Sequence, residues 1–248
     1  MIRHRLNIPL LFLCCGLLPG EAAEVHLAVA SNFAPPMKAL VERFEKNTGH
    51  QVLLSFGSTG KQYAQILHGA PYDAFFAADV KRPKELERQQ LAVPSTRFTY
   101  AIGRLVLWSA MPDMVDASGR VLQTDTFRHL AIANPDLAPY GAAAREVLQS
   151  LSVWAKLEPQ IVRGENVGQA FHFTRSGNAE LGFVGLSQLT HLAGDARGSR
   201  WVVPEQLYQP IEQQVVLLTE NHAAITFLRF IRSDEALQLI RNYGYNIP

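Results

Sequence analysis

The sequence predicts an α/β chain folded as two lobes, each a mixed sheet flanked by helices, with two segments crossing between them. Short apolar stretches alternate with amphipathic ones along most of the 248 residues, which is typical of parallel β–α–β units. Two long strand-like stretches, Phe98 to Trp108 and Gln213 to Thr219, break the alternation, and we interpret them as the outward and return crossings. The first lobe should then comprise residues 24–101 and 213–248, and the second residues 102–212.

The first 23 residues have the three parts of a secretory signal peptide. A basic start with Arg3 and Arg5 precedes an apolar run from Ile8 to Leu18, and small residues end the segment. The apolar run is too short to span a bilayer as a helix of the mature protein. We therefore expect export, with cleavage after Ala22 or Ala23.

Both cysteines, Cys14 and Cys15, lie inside this segment, so the mature chain would have no disulfide and no thiol chemistry. Lipid attachment at Cys14 is a minor alternative, because the bulky residues before it make a poor lipoprotein signal. Cleavage also removes Arg3, Arg5 and Glu21, which lowers the formal charge from +1 to 0. A neutral chain argues against nucleic acid and against anionic membranes as partners.

The first predicted strand, Val25 to Ala30, runs through a turn into a helix. Ser31 and Asn32 are residue types favoured at a helix N-cap, and the prolines that follow suit a first helical turn. Gly49 ends the helix, whose apolar residues recur at helical spacing. These residues are Met37, Leu40, Val41 and Phe44.

The second predicted strand, Val52 to Phe56, leads through the turn Gly57-Ser58-Thr59-Gly60 into a helix over Tyr63 to Leu67. The stretch Pro71 to Asp79 is predicted to be a third buried strand leaving a turn, and a charged helix from Pro83 to about Gln90 follows it. Strands and helices that alternate at this pitch form parallel units, whose ligands bind beyond the carboxyl ends of the strands.

The second lobe continues the alternation after a loop. Its helices follow the turns Tyr140-Gly141 and Asn166-Val167-Gly168. Its predicted strands are Leu130 to Ile132, Ile161 to Arg163 and Leu181 to Gly185. After the return crossing, a C-terminal helix presents one apolar face made of Ala224, Phe227, Leu228 and Ile231.

The turn at Ser58-Thr59 joins a strand to a helix, so free backbone N–H groups and the positive end of the helix dipole face a crevice. Such a place favours a small anion, and the two hydroxyl groups add donors. The turn at Ser31-Asn32 should lie at the same edge of the sheet. Neither a nucleotide P-loop nor a Gly-x-Ser-x-Gly nucleophile elbow fits. An ordinary capped β–α turn is the plain alternative.

Six stretches of the chain form a recognisable combination. They are Ala-Ser-Asn-Phe at 30–33, Phe-Gly-Ser-Thr-Gly at 56–60, and the segments 69–79, 98–108, 134–141 and 166–170. Together they resemble the periplasmic molybdate-binding proteins of ABC importers, and the resemblance covers the whole mature chain. Thr59 stands where many relatives have serine, and Asn32 differs from the commoner residue at its position.

The resemblance implies a type II periplasmic solute-binding fold that closes on molybdate or tungstate. It implies a periplasmic monomer, not an enzyme, with no cofactor and with the membrane subunits of the importer as partners. The implied oxyanion ligands are hydroxyl groups and backbone amides, with no direct protein–metal bond. They come from Ser31, Asn32, Ser58, Thr59, Tyr140 and, through its backbone N–H, Val167.

Charge chemistry supports this ligand set independently. A fully deprotonated tetrahedral dianion offers only acceptors, so a matched site offers only donors, whereas a carboxylate would select a protonated oxyanion. None of the six positions is acidic or basic, which leaves four helix N-termini to offset the charge. Cavity size should then separate molybdate from sulfate. We expect Lys61 on the solvent side of its helix, with long-range attraction of anions as the alternative.

Three other functions are weaker. A secreted hydrolase with Ser31 or Ser58 as nucleophile lacks a recognisable base, and Asp73 and Asp79 more plausibly fix turns than form an acid–base pair. The same fold could instead carry sulfate or thiosulfate. A regulatory effector domain is disfavoured by the export signal and the missing helix-turn-helix. The eight histidines show no metal-ligand spacing.

Overall fold

The computed structural model of the chain describes residues 22–248. Nearly all of the predicted signal peptide lies outside these residues, so its cleavage stays a prediction. The strands are β1 Glu24–Ala30, β2 Gln51–Gly57, β3 Ala74–Phe76, β4 Phe98–Gly103, β5 Leu105–Ser109, β6 Leu130–Ala133, β7 Ile161–Gly164, β8 Leu181–Gly185, β9 Ser199–Val202 and β10 Ile211–Leu217. The helices are α1 Ala34–Thr48, α2 Thr59–Leu67, α3 Lys81–Arg88, α4 Pro139–Ser150, α5 Trp154–Leu157, α6 Val167–Arg175, α7 His222–Ile231 and α8 Asp234–Asn242.

Two five-stranded sheets form the two lobes, in the orders β2-β1-β3-β10-β4 and β7-β6-β8-β5-β9. In the first sheet β1 is parallel to β2 and β3, and β10 is antiparallel to β3 and β4. In the second, β6 is parallel to β7 and β8, and β5 is antiparallel to β8 and β9. The predicted two-lobed fold with mixed sheets is confirmed.

The chain changes sheets at Arg104, which separates β4 from β5. It returns to the first sheet along β10, where Ile211 is opposite Gly103 and the pairing with β4 is irregular between Gln213 and Gln214. The two crossing segments therefore lie side by side. Since both lobes meet here, residues at this crossing contact groups from either lobe.

Helix α1 has the predicted apolar face, because Met37, Leu40, Val41 and Phe44 are all buried. Its start differs from the prediction. Ser31 and Asn32 do not cap it but form a 3₁₀ turn with Phe33, and the cap position has no side-chain hydrogen bond. The prolines at the start of α1 lack N–H groups, so fewer donors there need a cap.

Other elements differ from the sequence prediction in length or were not predicted. The third strand is only Ala74–Phe76, since the residues on either side of it are irregular or bent. Strand β9 and the short helix α5 were not predicted from the sequence. Within residues 22–248, no helix is both long and apolar enough to span a membrane.

Candidate functional site

A small cavity lies between the lobes. It is lined by Ala30, Ser31, Asn32, Gly57, Ser58, Thr59, Ala78, Ala138, Pro139 and Tyr140. None of these described residues carries a charged side chain or an imidazole. The cavity leaves about 10 Å³ for the centre of a water-sized sphere, which is about the room that one water molecule needs. A larger guest therefore requires the lobes to separate slightly.

A larger groove of about 740 Å³ adjoins this cavity and shares Ala78, Ala138 and Pro139 with it. Its walls carry both signs of charge, including Arg82 and Glu212. The groove is the open part of the interlobe cleft, whereas the small cavity holds the uncharged hydroxyl groups that the sequence singled out.

The hydroxyl groups of the first lobe are held by backbone N–H groups. Ser58 is the N-cap of α2 and its Oγ accepts from the N–H of Lys61 at 3.3 Å. Thr59 Oγ1 accepts from the N–H of Ala78 at 3.1 Å. Both side chains are at least 98 % buried. Because each hydroxyl already accepts, its own proton remains for donation to a guest in the cavity.

Ser31 and Asn32 face different surroundings. The half-buried Ser31 accepts through Oγ from the N–H of Gly168, across the cleft at 3.4 Å. The buried amide of Asn32 donates to Gln213 Oε1 at 2.7 Å and to the hydroxyl of Tyr245 at 3.1 Å. Asn32 can therefore serve the cavity through its backbone N–H, which lies in the first turn of the 3₁₀ segment and lacks an intrahelical partner there.

Tyr140 is the second residue of α4 and is buried. Its hydroxyl accepts a long hydrogen bond from Gln213 Nε2 at 3.5 Å. A Cβ atom at Gly103 would lie 2.2 Å from that hydroxyl oxygen, so only glycine leaves room for it. Burial raises the pKa of Tyr140 well above its usual value, with a smaller contribution from Tyr245. The phenol therefore stays protonated and can donate.

Val167 begins α6 and its side chain is buried, but it does not line the cavity. Its helix reaches the cavity through the hydrogen bond of Gly168 with Ser31. The role of the Val167 N–H as an oxyanion donor stays a prediction. Helices α2 and α4 and the 3₁₀ turn at Ser31 also start at the cavity, so positive dipole ends converge there.

Two cationic side chains at the cleft, Lys61 and Arg82, are engaged with carboxylates. Lys61 Nζ lies 2.9 Å from Glu165 Oε2 across the cleft, and this hydrogen bond holds the pKa of Glu165 below its usual value. Lys61 is about half exposed, as expected, but its carboxylate partner in the other lobe was not foreseen. Arg82 pairs with Asp79 and donates to the carbonyl oxygen of Asp136 in the other lobe.

The lobes also touch directly at the start of α2. The N–H of Gly60 donates to the carbonyl oxygen of Leu137 at 2.8 Å. A Cβ at Gly60 would lie 2.9 Å from that oxygen, so glycine is required for this approach. The second glycine of the Phe-Gly-Ser-Thr-Gly motif thus permits the lobes to close over the cavity.

Behind the cavity lies a buried polar cluster that the sequence did not predict. It contains Gln213, Tyr100, Tyr245 and Ser187 together with Asn32. Gln213 gave one signal that could have found it, since it is one of two adjacent glutamines that precede the apolar run Val215 to Leu218 in the predicted return crossing. Tyr245, close to the C-terminus, gave none.

The alternative functions gain little support from the described residues. The hydroxyls of Ser31 and Ser58 contact backbone N–H groups, and no histidine lines the cavity. Asp73 accepts from the N–H of His26 and from Thr219, so it fixes a turn as expected. Residues 22–248 contain no cluster of His, Cys, Asp and Glu that could hold a metal ion.

Comparisons with known proteins agree with the motifs. A family model described as bacterial extracellular solute-binding protein matches residues 25–246. The molybdate-binding protein ModA of Rhodobacter capsulatus is 49% identical over 231 residues, which cover 92% of this chain and 90% of that protein. ModA of Azotobacter vinelandii is 48% identical over 231 residues, 92% of each protein.

Solved structures show the same relationship. The periplasmic molybdate-binding protein of Azotobacter vinelandii matches with a TM-score of 0.87 at 44% identity, over 90% of this chain and 99% of that one. The sulfate-binding protein SubI of Mycobacterium tuberculosis H37Rv has a TM-score of 0.74 at 15% identity over 91% of this chain and 87% of that one, so it shares the fold alone. The chain therefore belongs to the bacterial extracellular solute-binding proteins, in the group that contains the molybdate-binding protein ModA.

Proposed function

We propose that this protein binds molybdate or tungstate between its lobes, in the periplasm, and delivers it to the membrane subunits of an ABC importer. It acts as a monomer, without catalysis and without a cofactor. One observation carries the proposal. The hydroxyl groups of Ser31, Ser58, Thr59 and Tyr140 each accept a hydrogen bond from the protein, so each keeps its proton for the guest.

This donor set suits a fully deprotonated tetrahedral oxyanion, whose four oxygens only accept hydrogen bonds. Helix N-termini supply the compensating positive potential, and no side-chain cation is needed in contact with the guest. A protonated oxyanion such as hydrogen phosphate would leave its own O–H without an acceptor. Sulfate presents the same acceptor pattern as molybdate, so the size of the closed cavity distinguishes the two.

The relatives support the same ligand class, because two proteins almost half identical to this chain are named molybdate-binding proteins. The contacts between the lobes support a closing mechanism. Gly60, Ser31 and Lys61 of the first lobe each bond to the second lobe. A guest held by both lobes would stabilise a closed arrangement in which the lobes lie slightly further apart than here.

A panel of oxyanions tests the proposal. Molybdate and tungstate should raise the melting temperature of the mature chain, because a ligand that binds only the folded state stabilises it by mass action. Sulfate and phosphate at the same concentration should leave it unchanged. Equal shifts with sulfate would refute discrimination by size, and no shift with molybdate would refute the function. Calorimetry then gives the affinities, and solution scattering should show a more compact protein with molybdate.

A further inference from the structure

A continuous chain of buried hydrogen bonds runs from the backbone of the first lobe to Tyr140 in the second. It passes from the carbonyl oxygen of Asn32 through Tyr245, the Asn32 side chain and Gln213. All of these side chains are at least 96 % buried. Buried polar groups have few alternative partners, so the direction of each bond is set by its neighbours.

The donor-to-acceptor direction of these hydrogen bonds is fixed at one end by a carbonyl oxygen, which can only accept. The hydroxyl oxygen of Tyr245 lies 2.8 Å from the carbonyl oxygen of Asn32. Two oxygens approach this closely only with a proton between them, and the proton comes from Tyr245 because a carbonyl has none. Ser187 Oγ donates to the same carbonyl at 2.9 Å and is itself a second acceptor for the Tyr245 proton, at 3.0 Å. Either acceptor turns the Tyr245 proton away from the Asn32 side chain. Towards the Asn32 side chain, Tyr245 can therefore only accept.

The rest of the chain follows from that constraint. The Asn32 group 3.1 Å from Tyr245 must be the donor Nδ2, and it also donates to Gln213 at 2.7 Å. The Gln213 atom that faces it is therefore Oε1, which also accepts from Tyr100 at 3.1 Å. The other end of the amide, Nε2, then faces the hydroxyl of Tyr140 and donates to it. Tyr140 receives this proton, so its own proton must point away from Gln213. It is then directed to a guest in the cavity or, without a guest, to the hydroxyl of Tyr245, a hydrogen-bond partner that also raises the pKa of Tyr140.

We propose that Gln213 is the positioning residue that makes Tyr140 donate its phenolic proton to the bound oxyanion. The proposal rests on the oxyanion-binding function proposed above and adds a residue outside the cavity wall. Since Tyr140 is then unable to accept from the guest, Gln213 also disfavours oxyanions that carry a proton. Its position on the return crossing lets it act on Tyr140 only when the second lobe is in place.

The surroundings of Gln213 allow a charge test at this position. The titratable side chains that face it are Tyr100 on β4, Tyr140 on α4 and, through Asn32, Tyr245 near the C-terminus. Burial raises the pKa of all three phenols. The carboxylate that acts on this group is Asp79, through its field at Tyr100. The phenols therefore stay neutral between pH 6 and pH 9, and affinity for molybdate should be constant over that range.

The test is Gln213→Glu, with molybdate affinity measured by calorimetry from pH 6 to pH 9. An ionised carboxylate can only accept, so it turns the Tyr140 proton away from the guest and adds a negative charge. At pH 9 we expect a loss of about 10- to 100-fold, the value of a hydrogen bond to a charged acceptor. As the pH falls, the protonated acid restores one donor and one acceptor, and the affinity should rise.

Gln214→Glu is the matched control. Its side chain accepts from Arg97 at 2.7 Å and donates to Thr99 at 3.0 Å, away from the cluster. We expect the molybdate affinity of Gln214→Glu to equal that of the parent protein at every pH. Gln213→Met adds no charge and should lower affinity about 10-fold or less, with no pH dependence. This variant keeps the test decisive should Gln213→Glu fail to fold, as judged by circular dichroism.

The outcomes separate the two proposals. If the parent protein binds no molybdate, the proposed function fails. If the parent binds but Gln213→Glu loses affinity equally at pH 6 and pH 9, the residue has only a structural role and the inference is overturned. Unchanged affinity in Gln213→Met would overturn it as well. A steeper pH response in Gln213→Glu than in Gln214→Glu supports it, as would measurable binding of inorganic phosphate by Gln213→Glu alone.

Discussion

The two halves of the cavity are supported in different ways. In the first lobe, Ser58 and Thr59 are fixed by N–H groups of the same lobe, those of Lys61 and Ala78. In the second lobe, the hydroxyl of Tyr140 takes its hydrogen bond from a residue on the return crossing and fits against Gly103 on the outward crossing. The first half is thus formed within its own lobe, whereas the second is completed by the first sheet.

This difference suggests an order of events in binding. An oxyanion can meet the hydroxyls and the α2 N-terminus of the open first lobe without any rearrangement of them. Closure then brings Tyr140 and the start of α6 up to the oxyanion. It also forms the hydrogen bond between Ser31 and Gly168. Affinity that depends on the second half should therefore be sensitive to anything that hinders closure.

The largest effect should come from blocking closure while leaving the first half intact. In Gly60→Val, the new Cβ would lie only 2.9 Å from the carbonyl oxygen of Leu137 in the closed form, so the variant should be unable to close. The contacts of Tyr140 and α6 with the guest would be lost, and each hydrogen bond to a charged acceptor is worth about 1.5–3 kcal/mol. We expect binding, measured by calorimetry, to weaken by about 3 kcal/mol or more.

The ligand-free variant should be nearly as stable as the parent, because glycine is the poorer helix former and the backbone clash, with Leu137, exists only in the closed form. The other close atom, at 3.0 Å, is at the end of the Arg82 side chain, which can move away. Ala64→Val is the control, since it puts the same side chain on an exposed position of the same helix. Solution scattering should show that Gly60→Val does not contract with molybdate. Parent-like affinity would mean that the second lobe contributes little.

The next effect compares one donor from each half. Thr59→Ala removes a donor to the guest and also leaves the N–H of Ala78 without its acceptor. We expect it to weaken molybdate binding by about 2–3 kcal/mol and to lower the melting temperature of the ligand-free protein. Tyr140→Phe should cost about 1–2 kcal/mol in binding and leave that temperature nearly unchanged.

Thr59→Ser keeps the hydroxyl and should retain most of the affinity, while Val167→Ala should have a small effect because the proposed donor is a backbone group. Both sets of variants are compared by calorimetry and thermal unfolding. Parent affinity in both Thr59→Ala and Tyr140→Phe would show that the guest binds elsewhere.

The same contrast explains what the sequence could predict. Turns such as Ser58-Thr59 are local, since the strand, the cap and the helix that form them are adjacent in the chain, and the sequence alone placed them at one cavity. The alternation of elements likewise predicted the two lobes. The support of Tyr140 comes from Gln213, more than seventy positions away, and from Tyr245 near the C-terminus. Contacts that only the folded topology brings together leave no local pattern to read.

Alkaline pH should lower the stability of the folded protein, because the second half of the cavity depends on buried tyrosines. Burial raises the pKa of Tyr245 to about 12 and raises the pKa of Tyr140 well above its usual value. Above pH 10 the unfolded chain releases these protons while the folded chain keeps them, so the free energy of unfolding falls as the pH rises towards 12. Denaturant unfolding from pH 9 to pH 12 should show this decline.

Tyr245→Phe removes one of these phenols, so its decline with pH should be shallower than that of the parent even though its stability is lower at neutral pH. Ser58→Ala alters the other half and removes no phenol, so it should keep the slope of the parent. A parent slope that Tyr245→Phe does not change would contradict the assignment of the alkaline loss to this cluster.

The smallest effect concerns the ion pair that joins the two halves at the cleft mouth. Lys61 and Glu165 are 52% and 29% exposed, and such pairs contribute about 1 kcal/mol or less. Because the pair bridges the lobes, Lys61→Met should raise the dissociation rate of molybdate about two- to fivefold in stopped-flow experiments at low salt. Salt screens the pair, so the difference should vanish near 0.5 M salt. Arg88→Met, which breaks a pair within α3, should change nothing. If Lys61→Met instead slows association, the lysine attracts the anion from a distance and the pair is not a closure contact.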